Sequence, residues 1–249
     1  MTSGFKWRLL RILPWSWMGP LVRLRTAAFF PRIVFRRNNV GAGTYIDPSV
    51  QIFGYRQVRI GRNSVISEGC WLNTNLGGAT TNSIDIDNNC HVGRHNYFSA
   101  GGSIKLQDYA FTGIRCLFLG AGHDTRSPMR PYVTTGVTAG AQIRIGVNTW
   151  LTTAVTVHQG VTIGRGSIVG AGSIVRTDIP PFSIAIGNPA VVVKRFNFEV
   201  REWVNVARWS PELEAMLPSE DEYLAALRQT YPDVQPSLHS ASKRFGWIP

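Results

Sequence analysis

Cysteine is scarce in this sequence, with three residues in 249. Cys70, Cys90 and Cys116 form no C-x-x-C pair, which argues against a disulfide framework or a zinc ribbon. Charge is sparse as well, at 16% of residues, and what there is lacks acid: 15 Asp and Glu stand against 26 Lys and Arg, for a net charge of +11. Such a field favours anionic partners, whether membrane surface, phosphorylated small molecule or nucleic acid. No recognition helix or base-stacking motif accompanies the charge, so no nucleic-acid partner is expected. No apolar run reaches the length of a membrane span. The apolar start is interrupted by Arg8 and Arg11, broken by Pro14 and Pro20, and followed by no small-residue cleavage site. A cytoplasmic protein, possessing reduced thiols and touching the inner membrane face at most peripherally, is therefore expected.

What the sequence has in abundance is a six-residue beat. Val157, Ile163, Val169 and Val175 stand six apart, as do Val40, Ile46 and Ile52, then Ile60, Ile66 and Leu72, then Ile86, Val92 and Phe98. Four positions after such an aliphatic a small residue usually follows, as at Ser64, Cys70, Cys90, Cys116, Ser167 and Ser173. A helix repeats at 3.6 and a flat strand at two, so neither generates a strict six. Short strands that turn a corner after each one do, and three corners close a triangular coil. The three cysteines all fall on the small inward position and read as core fillers. The expected fold is an all-β, left-handed parallel β-helix over residues 39–194.

A second pattern counts the coils. The pairs Val58/Ile60, Ile84/Ile86, Ile104/Leu106 and Ile143/Ile145 mark one position passed once per coil. From 84 to 104 is 20 residues, one coil. From 58 to 84 is 26 and from 104 to 143 is 39, so six and nineteen residues are left over. Two loops must leave the prism, a short one within 73–83 and a long one within about 119–140. Excursions from a rigid scaffold are where function usually sits.

The flanks carry a different pattern. Residues 1–38 form a basic, aromatic, helical segment with Lys6, Arg8, Arg11, Arg23, Arg25, Arg32, Arg36, Arg37, Trp7, Trp15 and Trp17. It reads either as a lid over the open first coil or as an interfacial anchor against anionic lipid. Further basic residues gather at Arg165, Arg176, Lys194 and Arg195. After Arg195 the beat stops. Phe196 to Trp209 reads as a helix, Ser210-Pro211 as an N-cap with proline at the first helical position, and Ser219 with Glu222 as a capping box. Residues 195–249 are thus expected to form a helical cap over the last coil, followed by a tail.

The segment Ile143–Lys194 carries more specific signals: Trp150 after an I-G-x-N corner, Gly170-Ala171-Gly172-Ser173, Asp178-Ile179-Pro180-Pro181 and Gly187-Asn188-Pro189-Ala190. With the loop start Gly122-His123-Asp124, it resembles the hexapeptide-repeat acyltransferases. The likeness is to the galactoside, maltose and xenobiotic O-acetyltransferase branch, nearest to colanic-acid-type exopolysaccharide acetyltransferases. The resemblance implies acetyl-CoA as donor and a homotrimer with active sites between subunits. The acceptor it implies is a sugar hydroxyl of a surface polysaccharide or its precursor. It further implies donor contacts at Trp150, Thr153, Ala171, Arg176 and Lys194. Thr153 and Ala171 are small enough to admit a pantetheine arm, and Arg176 and Lys194 suit phosphates.

Acetyl transfer to an alcohol needs a base to take the hydroxyl proton and a donor for the oxyanion. Histidine suits the first task, and His123, opening the longest loop, is the candidate. Asp124 reads as an acceptor contact, an orienting acid or a solvated loop charge, and Asn96 and Ser99, one coil earlier, as acceptor contacts. His91 and His95 stand close in sequence, but their spacing fits no metal triad and no metal is expected. Rival readings are an amino-sugar or antibiotic acetyltransferase on the same fold, a carbonic-anhydrase-like metal hydratase, and a non-catalytic β-helix subunit.

Overall fold

In the computed structural model the described residues are 35, 37–75, 82–138 and 140–234. Nearly all of the expected basic segment at 1–38, most of the short loop and the tail beyond 234 lie outside them. The chain divides into two units, residues 1–38 and 39–249, and the second is a three-sided prism of stacked parallel strands. One side is a five-stranded sheet of Val58–Ile60, Ser83–Ile86, Ser103–Leu106, Ile143–Ile145 and Thr162–Ile163. Its register pairs Val58 with Ile84, Ile84 with Ile104, and Ile104 with Ile143. The once-per-coil pairs counted in the sequence therefore lie directly over one another. The second side is six-stranded: Gln51–Phe53, Trp71–Asn73, Tyr97–Ser99, Leu117–Leu119, Thr156–His158 and Ile174–Val175. The third, nine-stranded, begins with Tyr45–Ile46, Val65–Ile66, His91–Val92, Phe111–Thr112, Trp150–Leu151, Ile168–Val169 and Ser183–Gly187. With the helical elements that follow it, this is the left-handed β-helix that the beat implies.

The interior is what the beat specifies. Ile66, Leu72, Val92, Phe98, Phe118, Leu151, Val157, Ile163, Val169 and Val175 are fully buried, and the Phe98 and Phe118 rings stack 4.3 Å apart inside the prism. The cysteines are free and buried. Their thiols reach carbonyl oxygens of neighbouring coils, Cys70 to Gly93 at 3.0 Å and Cys116 to Thr152 at 3.0 Å. Burial pushes the Cys70 and Cys116 thiols up to about 11 and Cys90 higher still. The corners need left-handed backbone, and asparagine supplies it at Asn63, Asn89 and Asn148, with φ of 54°, 57° and 52°. Its short side chain tolerates this region better than most.

One expectation for the C-terminal segment is corrected. Phe196 to Trp209 is not a helix. Ala190–Asn197 folds back antiparallel on Ser183–Gly187, and Glu202–Asn205 pairs antiparallel with it, followed by a 3-10 turn at Val206–Arg208. The boundary expected at 194 thus falls inside a strand. Ending the coils at Gly187 leaves a sheet edge of unpaired amides and carbonyls, and pairing satisfies it better than a helix laid beside it. The aromatic side chains of this segment cluster on the added strands, Phe196 lying 5.3 Å from Trp203.

The helices that follow touch the last coils, where Arg165 donates to the Pro218 carbonyl and Tyr223 packs edge-on against Phe182, and then extend beyond them. Helix α1 (Pro211–Ala215) starts at Ser210, and helix α2 (Glu220–Thr230) starts with the expected capping box of Ser219 and Glu222. α2 then runs back along the corner between the five- and nine-stranded sheets. Glu220 accepts from Arg144 at 2.6 and 2.8 Å and from Gln107 at 2.6 Å. Tyr223 accepts from Asn148 at 2.6 Å, and Arg228 donates to Asp108 at 2.8 Å. Beyond the helix, Tyr109 donates to the Tyr231 carbonyl and Asn63 to Asp233. The turns at Asn63, Asn89, Tyr109, Asn148 and Gly166 follow one another up this corner, four steps of ~4.8 Å. Eleven helical residues at ~1.5 Å each span nearly that distance, so α2 is a strap with the length of the corner it binds.

Candidate active site

The long loop leaves the prism after Leu119 and rejoins it at Ile143. Its root is a two-stranded antiparallel ribbon in which Gly122–His123 pairs with Val137–Thr138, His123 standing opposite Val137. This pairing turns a nineteen-residue insertion into a stalk, and His123 sits exposed on it. The Thr135 Oγ1 lies 3.4 Å from His123 Nδ1. Asp124 does not orient the imidazole. Its carboxylate accepts from the Arg126 guanidinium at 2.7–3.1 Å and from the Arg126 amide at 3.0 Å. Those bonds hold it well below the usual carboxylate range.

The loop stands on the corner where the six-stranded sheet turns into the five-stranded one, directly above Ser99. The Gly120 amide donates to the Ser99 carbonyl at 2.8 Å, and the Gly140 amide to the Gly101 carbonyl at 2.5 Å. Gly101 is obligatory here, since a Cβ would strike the Gly120 carbonyl. The short loop springs from the same corner one coil below, after Asn73. Asn75 donates to the Ser99 Oγ at 3.1 Å and the Ala100 carbonyl at 3.0 Å. Thus Ser99, expected near the acceptor, lies where both loops are rooted. Asn96, expected beside it, does not. It is 1% exposed; its side chain donates to Thr112 Oγ1 at 2.6 Å and accepts from the Cys116 amide. Four positions after Val92, it occupies the same inward beat as the cysteines, and that beat was the signal to read.

The five expected donor contacts lie on two neighbouring sides of the prism and on the corner between them. Thr153 and Ala171 share the corner between the nine- and six-stranded sheets one coil apart, where the Gly172 amide donates to the Thr153 carbonyl at 2.9 Å. Both are exposed. Trp150 lies outside the nine-stranded sheet, 42% exposed and stacked on Phe111 with centroids 5.9 Å apart and planes 6° off parallel. Arg176 is exposed at the far edge of the six-stranded sheet, next after Val175, which pairs with Val157. Lys194 is exposed on the antiparallel strand opposite Ile184. Phe111 was not singled out in the sequence. It holds the same outward position one coil below Trp150, so the beat applied to outward positions finds it.

His91 and His95 face different surroundings. The His91 ring meets Phe111 edge-on at 5.2 Å, its Nδ1 is buried without a partner, and burial lowers its pKa. His95 sits at a corner with φ of 57°. Among the described residues no group of three His, Cys, Asp or Glu is placed to hold a metal ion, and no helix is long and apolar enough to cross a membrane.

No protein-family model matches the chain. In sequence it is 42% identical over 118 residues to the Staphylococcus aureus protein SAR2635, named by inference as an acetyltransferase, covering 47% of this chain and 58% of that protein. The chain thus spans little more than half the length of that relative. It is 28% identical over 227 residues to Rv3034c of Mycobacterium tuberculosis, also named by inference as an acetyltransferase, covering 90% of this chain and 72% of the other. In fold it is similar to AntD, an N-acyltransferase from Bacillus cereus solved with dTDP and coenzyme A. The TM-score is 0.55 at 20% identity, over 78% of this chain and 96% of AntD. The chain is a hexapeptide-repeat left-handed β-helix, and the relatives it matches in sequence are named as acetyltransferases.

Proposed function

We propose that the protein is an O-acetyltransferase that moves acetyl from acetyl-CoA to a sugar hydroxyl, with His123 as general base. The observation that carries this reading is the exposed imidazole on a ribbon rooted at a corner lined with amides and a hydroxyl. The imidazole takes the acceptor proton as the oxygen attacks the thioester carbonyl. The tetrahedral intermediate then collapses, the C–S bond breaks, and the CoA thiolate leaves, taking the proton back from the imidazolium. Trp150, Thr153, Ala171, Arg176 and Lys194 would hold the donor. Their spread over two sides of the prism suits a donor lying between two copies of the chain, as in a homotrimer. The acceptor class proposed is a surface polysaccharide or its lipid-linked or nucleotide-linked precursor.

The test is acetyl-CoA consumption against a panel of sugars, amino sugars and nucleotide sugars. Amines belong in the panel because AntD is an N-acyltransferase; an ester product is cleaved by hydroxylamine and an amide is not. His123→Ala is expected to lower turnover by about 10²–10⁴-fold with acetyl-CoA binding unchanged. Turnover at the wild-type rate in that variant would move the base elsewhere.

A further inference from the structure

The His123 ring meets one hydrogen-bonding side chain among the described residues, and the chemistry of that side chain decides which ring nitrogen carries the proton. Thr135 Oγ1 lies 3.4 Å from His123 Nδ1 and 2.8 Å from the Tyr132 carbonyl oxygen. A threonine hydroxyl has one proton to give and two lone pairs to offer, whereas a carbonyl oxygen only accepts. Hydroxyl-to-oxygen bonds centre on about 2.7–2.8 Å, so the carbonyl contact is at its optimum and takes the proton. What Thr135 turns to the imidazole is a lone pair. An N–H at Nδ1 meets it, which leaves Nε2 of the neutral ring unprotonated on a side chain exposed to solvent.

The backbone fixes this contact. The 3-10 turn Tyr132–Thr134 ends at Thr135, with φ of −86° and ψ of −5°, and the Thr135 amide donates to the same Tyr132 carbonyl at 3.1 Å. Gly136 follows at φ of 68°, backbone that glycine adopts readily, and Val137 then pairs with His123 across the ribbon. Thr135 stands two residues from that pairing, half-buried beside an exposed ring. The neighbouring polar groups are otherwise engaged. The Asp124 carboxylate is held by Arg126, and Thr134 Oγ1 donates to the Pro131 carbonyl at 2.8 Å. A neutral hydroxyl thus stands beside the ring where the adjacent acid does not.

We infer that Thr135 is a positioning residue for His123: accepting from Nδ1–H, it holds the imidazole in the tautomer whose Nε2 is free to take a proton. The effect on turnover rests on the reading of His123 as base; the tautomer itself does not. During transfer Nε2 takes the acceptor proton as the new C–O bond forms, and Nδ1–H stays on Thr135 Oγ1. Nε2 then returns its proton to the CoA thiolate as the C–S bond breaks. The full chain, carrying isotope-labelled histidine, is followed by long-range proton–nitrogen correlation NMR in alkaline buffer, which keeps histidine rings neutral. The His123 signals are those lost in His123→Ala. Wild type is expected to show the Nδ1–H form. Thr135→Val, equal in shape without the hydroxyl, should lose that preference, and Thr135→Ser should keep it. With acetyl-CoA and an active acceptor, Thr135→Val should lower kcat about three- to tenfold, the worth of one neutral hydrogen bond, at unchanged KM for acetyl-CoA. Thr135→Ser should stay within about twofold of wild type. The Nε2–H form in wild type, or the same spectrum in wild type and Thr135→Val, overturns the assignment. If Thr135→Val does not fold, the wild-type spectrum decides alone. A tautomer lost in Thr135→Val with kcat unchanged would overturn His123 as base and leave the hydrogen bond standing.

Discussion

Asn96 and Ser99 lie three residues apart, yet one is spent entirely inside the prism and the other sits where two loops meet. Sequence pattern alone separates them once the inward beat is applied strictly, because Asn96 follows Val92 by four and Ser99 does not. Asn96→Ala would leave the Cys116 amide unpaired in the core and strip Thr112 Oγ1 of one of its two donors, the Gly93 amide remaining. A loss of about 1–3 kcal/mol in a denaturant melt is expected, with the acceptor KM of the folded variant unchanged. A rise in KM without loss of stability would return Asn96 to the site. Asp124 teaches the opposite lesson. Adjacency to His123 in sequence says nothing about which cation its carboxylate finds, and Arg126, two residues on, closes an exposed turn around it. No spacing rule distinguishes these outcomes, because an exposed loop side chain is placed by local bonding and not by the repeat.

At the level of elements, the prism was legible down to register: the spacings of 20, 26 and 39 put Val58, Ile84, Ile104 and Ile143 in one column. The strands at 190–205 were not. Val191, Val192 and Val193 continue the apolar run without the beat, and the demand that shapes them is an open edge elsewhere in the fold. The course of α2 was equally hidden. Its caps are encoded locally in Ser219 and Glu222, but its direction depends on polar side chains in five separate turns. Those contacts differ in worth. Arg228→Ala removes the cation from Asp108, whose side chain is 4% exposed and keeps bonds from the Asn88 amide and side chain. Because Arg228 itself is half exposed, a loss of about 1–2 kcal/mol is expected. Arg126→Ala, breaking a loop pair whose guanidinium stands in solvent, should leave the melting temperature unchanged. Equal melts for the two variants would mean that the strap adds nothing.

At the scale of the whole molecule, charge and apolar surface are segregated. Residues 1–38 hold eight of the 26 Lys and Arg and none of the 15 Asp and Glu, leaving 18 bases against 15 acids over the rest. If that segment supplies membrane contact, flotation with anionic vesicles should carry the full chain and not a chain beginning near Asn38; equal flotation would end the idea. Outside the prism, Tyr45, Phe111 and Trp150 hold corresponding outward positions along the nine-stranded sheet, and Trp71 and Tyr97 do so along the six-stranded one. Homotrimer formation across these faces should give a sedimentation mass three times the 27.6 kDa chain, reduced to one chain by Trp150→Asp. A monomeric wild type would exclude a donor site shared between copies. The strap adds a different constraint. In a plain stack each repeat is stabilised only by its neighbours, so such stacks can peel from an end. Here Asp233 fastens Asn63 across 170 residues of sequence. The coils made early in synthesis are clasped only when the last part of the chain arrives, and thereafter the two ends of the stack loosen together or not at all.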